Sequence, residues 1–278
     1  MEIYLMKLSL SVRVAESFSN KREVRIQLPE LARIASAAGY DALCLRASMV
    51  GVQDSAEKVV EVREILDRHS LAVSMITGDF AVPENGVEGP GCLRNITPYL
   101  DLAAGVGTDL IRICMKTEED VEWAARASDE AAERSIRLGH QSHTMSLFET
   151  IQGTVSTINK VGRGNFGLIY EPANLALCDQ DYGPETLKTY RPFLYNVYLQ
   201  NHVPEEGGPQ PITTWVRGLI DSRLYPLDSG KGINFGSVFQ GLKQIGYDGY
   251  VTLHHAFDGD LEPQESATRS ARFLRALM

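Results

Sequence analysis

Gly246-Tyr247-Asp248-Gly249-Tyr250-Val251-Thr252-Leu253-His254-His255 compresses a helix end, a polar turn and a buried strand into one short stretch. Glycine ends a helix by taking the left-handed conformation just past its last turn, and Tyr250 to Leu253 then reads as a short apolar strand opening onto two histidines. The same junction stands at Gly39-Tyr40-Asp41 before Ala42 to Leu45, and at Gly107-Thr108-Asp109 before Leu110 to Met115. Recurrence of one helix-to-strand junction implies a repeated βα unit.

Working outward, the remaining strand signals are Leu8 to Val12, Ala72 to Ile76, Ile136 to Leu138, Phe166 to Tyr170 and Leu194 to Leu199. Between them lie helical patterns: Leu31, Ile34, Ala35 and Ala38 behind Pro29; Val59, Val62 and Leu66; and Val238, Leu242 and Ile245. Ser55, Thr117 and Asn234 stand where helix N-caps belong. Eight units in 278 residues average about 35 each, which predicts an α/β chain folded as one (β/α)8 TIM barrel spanning 1–278. An open doubly wound sheet is the alternative. No G-x-G-x-x-G follows the first strand, which argues against a nucleotide cofactor. Two connections, about 78–92 and 200–232, are too long for plain turns. The second carries Trp215, Leu219, Ile220 and Leu224, an apolar set expected to dock a lid over the rim.

A hydrophobic content of 44% against 23% charged residues is that of an ordinary globular chain, and no stretch approaches the roughly 20 apolar residues of a membrane span. Met1 to Lys7 shows neither a basic leader nor an apolar core, so export is not expected. The formal charge of -9 disfavours nucleic acid as a partner. Cys44, Cys92, Cys114 and Cys178 form no C-x-x-C pair and lie mostly within apolar runs, which suits reduced, buried thiols in a cytoplasm.

The chemistry-bearing residues gather at predicted strand ends. His140, His143, His202, His254 and His255 each follow an apolar run, and another run ends in Glu171. In a barrel the carboxyl ends of all strands meet on one rim, so these residues can serve one substrate. Arg46 ends the second strand, and Arg112 and Lys116 lie on or just past the fourth. Alternation with Ile111 and Ile113 turns Arg112 inward, where a guanidinium needs a partner. Arg46 or Lys116 either grips an anionic ligand or pairs with Asp79 or Glu171 as scaffold.

The order Gly39-Tyr40-Asp41, Arg137-Leu138-Gly139-His140-Gln141-Ser142-His143, Leu168-Ile169-Tyr170-Glu171-Pro172-Ala173-Asn174-Leu175, Gly230-Lys231-Gly232-Ile233-Asn234-Phe235 and Gly246 to Leu253 resembles the xylose isomerase-like TIM barrels, the sugar phosphate isomerase/epimerase type. The resemblance runs over essentially the whole chain. It implies a sugar or polyol substrate, allows a homodimer, and implies a divalent metal that stabilises an enediolate while side chains move a proton. The implied metal ligands are a Glu after strand 5, an Asp after strand 6, a His on strand 7 and a Glu ending strand 8. The matching residues here are Gln141, Glu171, Tyr198 and His254. Losing carboxylates weakens a site for hard Mg²⁺ or Mn²⁺.

Two readings of the rim follow. In one, Glu171 and His254, with Gln141, His143, Gln200 or His202 supplying the rest, rebuild a site for Zn²⁺ or Mn²⁺. In the other, Glu171 and His254 hydrogen-bond each other, and His255 faces the helical layer. For proton transfer, His254 replaces an implied carboxylate base, with Glu171 orienting it or binding metal. One remaining base suits isomerisation or elimination of a hydroxy acid better than two-base epimerisation. Arg46, Arg112, Lys116, His143, Asn174, Tyr198, Gln200 and His202 are the expected substrate-binding residues. The alternative is a metal-free sugar binder or a degenerate, non-catalytic barrel. The endonuclease IV branch of the same fold would need more His and Glu ligands and a surface that accepts DNA.

Overall fold

The computed structural model describes residues 6–17, 23–77, 88–255 and 261–278. Eight parallel strands close into a barrel: β1 (Lys7–Ser11), β2 (Ala42–Leu45), β3 (Ala72–Thr77), β4 (Leu110–Ile113), β5 (Arg137–Gln141), β6 (Phe166–Tyr170), β7 (Leu194–Leu199) and β11 (Tyr250–Leu253). Each barrel strand pairs with the next in sequence, and β11 returns to β1 through the register Lys7↔Tyr250, Leu8↔Val251, Ser9↔Thr252 and Leu10↔Leu253. The eight runs expected from sequence are all barrel strands, with bounds shifted by a few residues at β4 and β5. The open-sheet alternative is excluded.

The helices α1 (Leu28–Ala38), α2 (Ala56–Arg68), α3 (Gly91–Arg94), α4 (Thr97–Val106), α5 (Glu119–Ala132), α6 (Ile151–Val161), α7 (Pro172–Leu177), α8 (Pro184–Tyr190), α9 (Phe235–Gln244) and α10 (Pro263–Leu277) occupy the connections between strands. Strand alternation divides the side chains in two. Leu8, Leu10, Leu43, Leu45, Ile111, Ile113, Leu138 and Leu168 join the main core with the helices. Cys44, Met75, Leu110, Ile169 and Tyr198 form a separate cluster inside the barrel. Polar groups complete the interior: Ser9 and Ser74 hydroxyls meet at 2.7 Å, and Thr252 Oγ1 donates to Asn196 Oδ1 at 2.9 Å. Period-two alternation produces this separation except on β3, where a register shift against β2 brings both Ser74 and Met75 inside.

The repeated junctions behave as their sequences predict. Gly39, Gly107 and Gly246 have φ of 84°, 76° and 66°, the left-handed region that favours glycine. Two of the aspartates after them fasten strands: Asp41 Oδ2 accepts from Leu8 N at 2.6 Å, and Asp109 pairs with Arg137 at 2.9 Å. Ser55 and Asn234 cap α2 and α9 through their side chains. Thr117 does not cap α5. Instead Asp120, inside the helix, accepts from the amides of Lys116 and Thr117 at 2.7 and 2.9 Å, because its carboxylate reaches back over the first turn.

The connection at 200–232 is an antiparallel sheet of β8 (His202–Pro204), β10 (Gly218–Leu224) and β9 (Gln210–Thr214), in that order. The expectation that Trp215 and Leu219 dock it by apolar packing is corrected, since they are 49% and 71% exposed. Strand alternation turns Leu219 outward, and the tip is held through its backbone. The Glu149 carboxylate, buried in the β5–α6 loop, accepts from Trp215 N at 2.8 and 2.9 Å, from Val216 N at 3.0 Å and from Met145 N. Arg217 Nη1 adds a bond to Leu177 O at 3.3 Å. The hairpin thus bridges the β5–α6 loop and the end of α7. Of the other long connection, residues 78–87 lie outside the described residues; 88–90 form a turn leading into α3.

Gly39→Ala should cost about 1 kcal/mol in urea unfolding, because a Cβ at Gly39 meets nothing within 4 Å and only the left-handed backbone is penalised. Gly107→Ala should cost more: its Cβ would lie 2.7 Å from Arg63 Nη1, which now donates to Val106 O. Equal losses would show that the backbone conformation alone sets the cost.

Candidate active site

The carboxyl ends of β5, β6, β7 and β11 build the site. Glu171, directly past β6, is fully buried and precedes Pro172, which starts α7 at its first position. Three amides converge on its carboxylate. Gln141 Nε2 at the end of β5 and Asn174 Nδ2 in α7 donate to Oε2, the latter at 2.8 Å, while Gln200 Nε2 past β7 donates to Oε1. Asn174 Nδ2 also reaches Ser142 O at 2.9 Å. Burial pushes the Glu171 carboxyl up to about 7; hydrogen bonds from Gln141 and Gln200, the Arg112 charge and Asn174 pull the other way.

On β7, Tyr198 points into the barrel and stacks on His254 with ring centroids 4.5 Å apart and planes 10° from parallel. Tyr198 Oη and Cys44 Sγ lie 2.8 Å apart across the interior. Burial drives the phenol well above its ordinary range, reinforced by Cys44 and opposed by the Arg112 and Arg46 charges. His254 Nδ1 lies 3.0 Å from Ser11 Oγ at the end of β1, and its backbone amide donates to Leu199 O. Arg112 on β4 faces inward as alternation requires and is 3% exposed; Nη1 donates to Thr77 Oγ1 of β3 at 3.4 Å.

The expected site residues therefore fall into distinct groups. Gln141, Glu171, Asn174 and Gln200 form one hydrogen-bonded network, and Tyr198 with His254 forms the stack. Arg112 acts on both groups electrostatically. Arg46 makes a buried ion pair with Glu16, Nε to Oε1 at 3.1 Å, and Ser48 Oγ donates to the same oxygen at 2.6 Å. Lys116 Nζ donates to Met145 O at 2.7 Å and lines a recess of about 610 Å³ with Arg94, Asp120 and Trp215, beside the mouth. His143 Nδ1 lies against Thr144 O on the β5–α6 loop.

The histidines do not gather as one cluster. His140 turns outward and stacks on Phe148 at 4.0 Å, where burial holds its ring well below the usual histidine range. His202 belongs to the antiparallel sheet: Nε2 meets Ser222 Oγ at 2.7 Å, and burial lowers its pKa to about 4. His255 Nδ1 accepts from Asn201 N at 3.4 Å. The sequence reading missed Glu16, Cys44 and Glu149. Alternation on β2 could have found Cys44, two residues before Arg46, but no local pattern marks Glu16 or Glu149.

The family model described as xylose isomerase-like TIM barrel matches residues 32–277. The chain belongs to that family. Solved structures with the same fold include a probable 3-DHS dehydratase, AsbF, from Bacillus anthracis, at 15% identity and TM-score 0.72, covering 97% of this chain and 99% of that one. D-allulose 3-epimerase from Methylomonas sp., in complex with D-allulose, is 15% identical at TM-score 0.69, over 99% of this chain and 98% of the other. A xylose isomerase-like TIM barrel protein from Mycobacterium smegmatis in complex with magnesium is 15% identical at TM-score 0.68, again over 99% and 98%. At such identities the likeness shows the fold alone. A search of curated proteins finds no significant match.

The donor set does not fit the divalent metal that the resemblance implies. Three amide N–H groups already occupy the Glu171 carboxylate, the Tyr198 phenol is held protonated against Cys44, and Gln141 is a weak ligand turned toward Glu171. Among the described residues no group of three or more His, Cys, Asp or Glu side chains converges as ligands. Nor, among them, is any helix long and apolar enough to cross a membrane.

Two groups here couple stability to pH in opposite directions. Glu171, raised from 4.5 to about 7, contributes stability that is present below 4.5 and lost as pH rises through about 7. His202, lowered from 6.5 to about 4, contributes stability that is present above 6.5 and lost as pH falls through about 4. His202→Gln should therefore flatten the acid limb of the thermal stability curve. Its deficit in unfolding free energy against wild type, read from urea titrations, should widen between pH 4 and 6.5 by an amount on the order of 3 kcal/mol. A deficit independent of pH would show that the ring titrates normally.

Proposed function

We propose that this chain is a sugar isomerase/epimerase-like enzyme that acts on a sugar or polyol, including acidic ones, by abstracting a proton next to a carbonyl. The single observation behind this reading is the convergence of the Tyr198–His254 stack and the amide-bound Glu171 at the carboxyl ends of adjacent barrel strands, where barrel active sites form. D-allulose 3-epimerase and a probable dehydratase share the fold, and both names belong to chemistry on hydroxylated carbon skeletons.

In this reading His254 is the proton-transfer residue. With Nδ1 engaged by Ser11, transfer falls to Nε2, and the Tyr198 ring holds the imidazole plane. His254 takes the proton from the substrate carbon, the C–H pair becomes the C=C bond of an enediolate as the carbonyl pair moves onto oxygen, and the proton returns to the former carbonyl carbon while the hydroxyl proton shifts to the former carbonyl oxygen. Gln141, Asn174 and Gln200 fix the buried Glu171 carboxyl, poised near neutrality, beside the stack. The hairpin over the β5–α6 loop and the end of α7 keeps water from this centre. A Zn²⁺ or Mn²⁺ ion bound through Glu171, His254 and Gln141 is not part of the proposal, since those donors are turned to other partners. We place the protein in the cytoplasm, where its four buried cysteines suit a reducing milieu.

Full burial of Glu171 favours one second reading, a metal-free sugar binder or degenerate barrel that holds its ligand without turning it over. Solvent deuterium separates the two. The purified protein, incubated in D2O with a panel of ketoses, aldoses and hydroxy acids, should incorporate deuterium at the carbon next to the carbonyl in at least one of them; binding without exchange supports the binder. With a substrate in hand, His254→Ala should lower kcat about 10² to 10⁴-fold, as loss of a general base does. His255→Ala should change it little. Equal losses would move the base to Glu171 or His143.

A further inference from the structure

Beside the mouth, the recess of about 610 Å³ lies among the loops after β3, β4 and β5, and the tip of the antiparallel hairpin forms one of its walls. Two buried carboxylates fix those walls. Glu149 holds the backbones of Trp215 and Met145 together, while Asp120 ties Arg94 to the amides of Lys116 and Thr117. Because Trp215 is anchored through its amide, its indole is spared a packing role, and half of it is exposed on a segment whose place is already set. A large apolar ring held out on a rigid frame is a contact surface. The recess is also tied to the reaction site by a short run of chain. Met145 stands four residues past Gln141, which donates to Glu171, so their Cα atoms lie at most about 14 Å apart.

The polar lining selects the occupant. Three carboxylates, Glu88, Glu119 and Asp120, stand against two cations, Arg94 and Lys116, so the recess does not favour an anion. Both cations hold partners: Arg94 the Asp120 carboxylate at 3.3 Å, and Lys116 the Met145 carbonyl at 2.7 Å. Glu88 and Glu119 are exposed and, among the described residues, enter no ion pair. Ionised carboxylates only accept hydrogen bonds, and the face of an indole is electron-rich. A pyranose ring meets both demands, since its face carries weakly positive C–H hydrogens and its rim carries hydroxyl donors. A small ammonium ion would satisfy the carboxylates but leave the apolar wall of Pro90 and Met145 unused. We propose that this recess is a second sugar subsite, and that the substrate is a glycosylated sugar or polyol whose distal ring stacks on Trp215 while its reacting end lies at the mouth. The volume falls in the range of small-ligand pockets, and two linked sugar rings bridge the distance from Gln141 to Met145. This deepens the isomerase reading and rests on the mouth being the reaction site.

The test reads binding and needs no turnover. The chain has two tryptophans, so Trp123→Phe leaves the emission of Trp215 as a reporter of the recess. Isomaltulose, lactulose, maltose and cellobiose are titrated beside their constituent monosaccharides, with choline as a cationic probe. At least one disaccharide should shift or quench the emission at a concentration about tenfold or more below that of either of its halves, equivalent to roughly 1.4 kcal/mol. Calorimetry on the chain with Trp123 intact should give the same affinity ratio, and Trp215→Ala should bring it down to about one. That variant keeps the backbone amide bound by Glu149, and its lost side chain is half exposed, so the fold is retained. Disaccharides no tighter than their halves, a preference that survives Trp215→Ala, or choline binding tighter than every disaccharide would overturn the proposal. Deuterium exchange into monosaccharides without a disaccharide preference would remove the subsite and leave the isomerase reading standing. A Trp215-dependent preference with no exchange into any sugar would support the subsite and remove that reading.

Discussion

Closure of the parallel sheet is the constraint on which everything else depends. The β1–β11 register ties the first described strand to one that begins more than two hundred residues later, and with it the sheet has no edge. A closed barrel of eight strands sends every second side chain into a space that must be filled. It also brings every strand's carboxyl end to one mouth. The separation of Leu43 and Leu45 from Cys44 and Arg46 on β2, or of Ile111 and Ile113 from Arg112 on β4, is a direct consequence.

What fills that space distinguishes this protein. The interior holds polar pairs, Ser9 with Ser74 and Thr252 with Asn196, beside the cluster of Cys44, Met75, Leu110, Ile169 and Tyr198. Directly past β6 stands the amide-bound Glu171. A carboxylate accepting three N–H donors is well satisfied, yet complete burial still penalises its charge. Those opposing effects leave Glu171 able to change protonation state near neutral pH, the range in which proton transfer from a carbon acid needs a responsive group.

Glu149 solves a different problem. The β8–β10–β9 sheet exposes much of its apolar surface and could not hold its position by burial alone, so one buried carboxylate gathers the amides of Trp215, Val216 and Met145 instead. Charge-assisted bonds of this kind are directional, and they fix a hairpin tip without a large hydrophobic contact. The same economy explains the Glu16–Arg46 pair, which joins the loops after β1 and β2 and draws Arg46 away from the ligand role its sequence position suggested.

The sequence by itself determined the barrel. Eight apolar runs, helical faces between them and the repeated Gly-x-Asp junctions are local signals, produced by backbone sterics and side-chain periodicity, and they survive without knowledge of any partner. The inward direction of Arg112 was legible for the same reason, as were the positions of Gln141, Glu171, Tyr198 and His254 at one mouth. Only the tertiary structure decided what those residues do to one another. Glu171 met three amides rather than His254, His254 met Tyr198 and Ser11, and His140, His202 and His255 turned to partners of their own. Hydrogen-bond partners lie tens of residues apart and are chosen by strand stagger and loop path, which no local pattern encodes. That is why the histidines at the strand ends pointed correctly to the rim, while the chemistry of the rim depended on distant residues that bear no mark in the sequence.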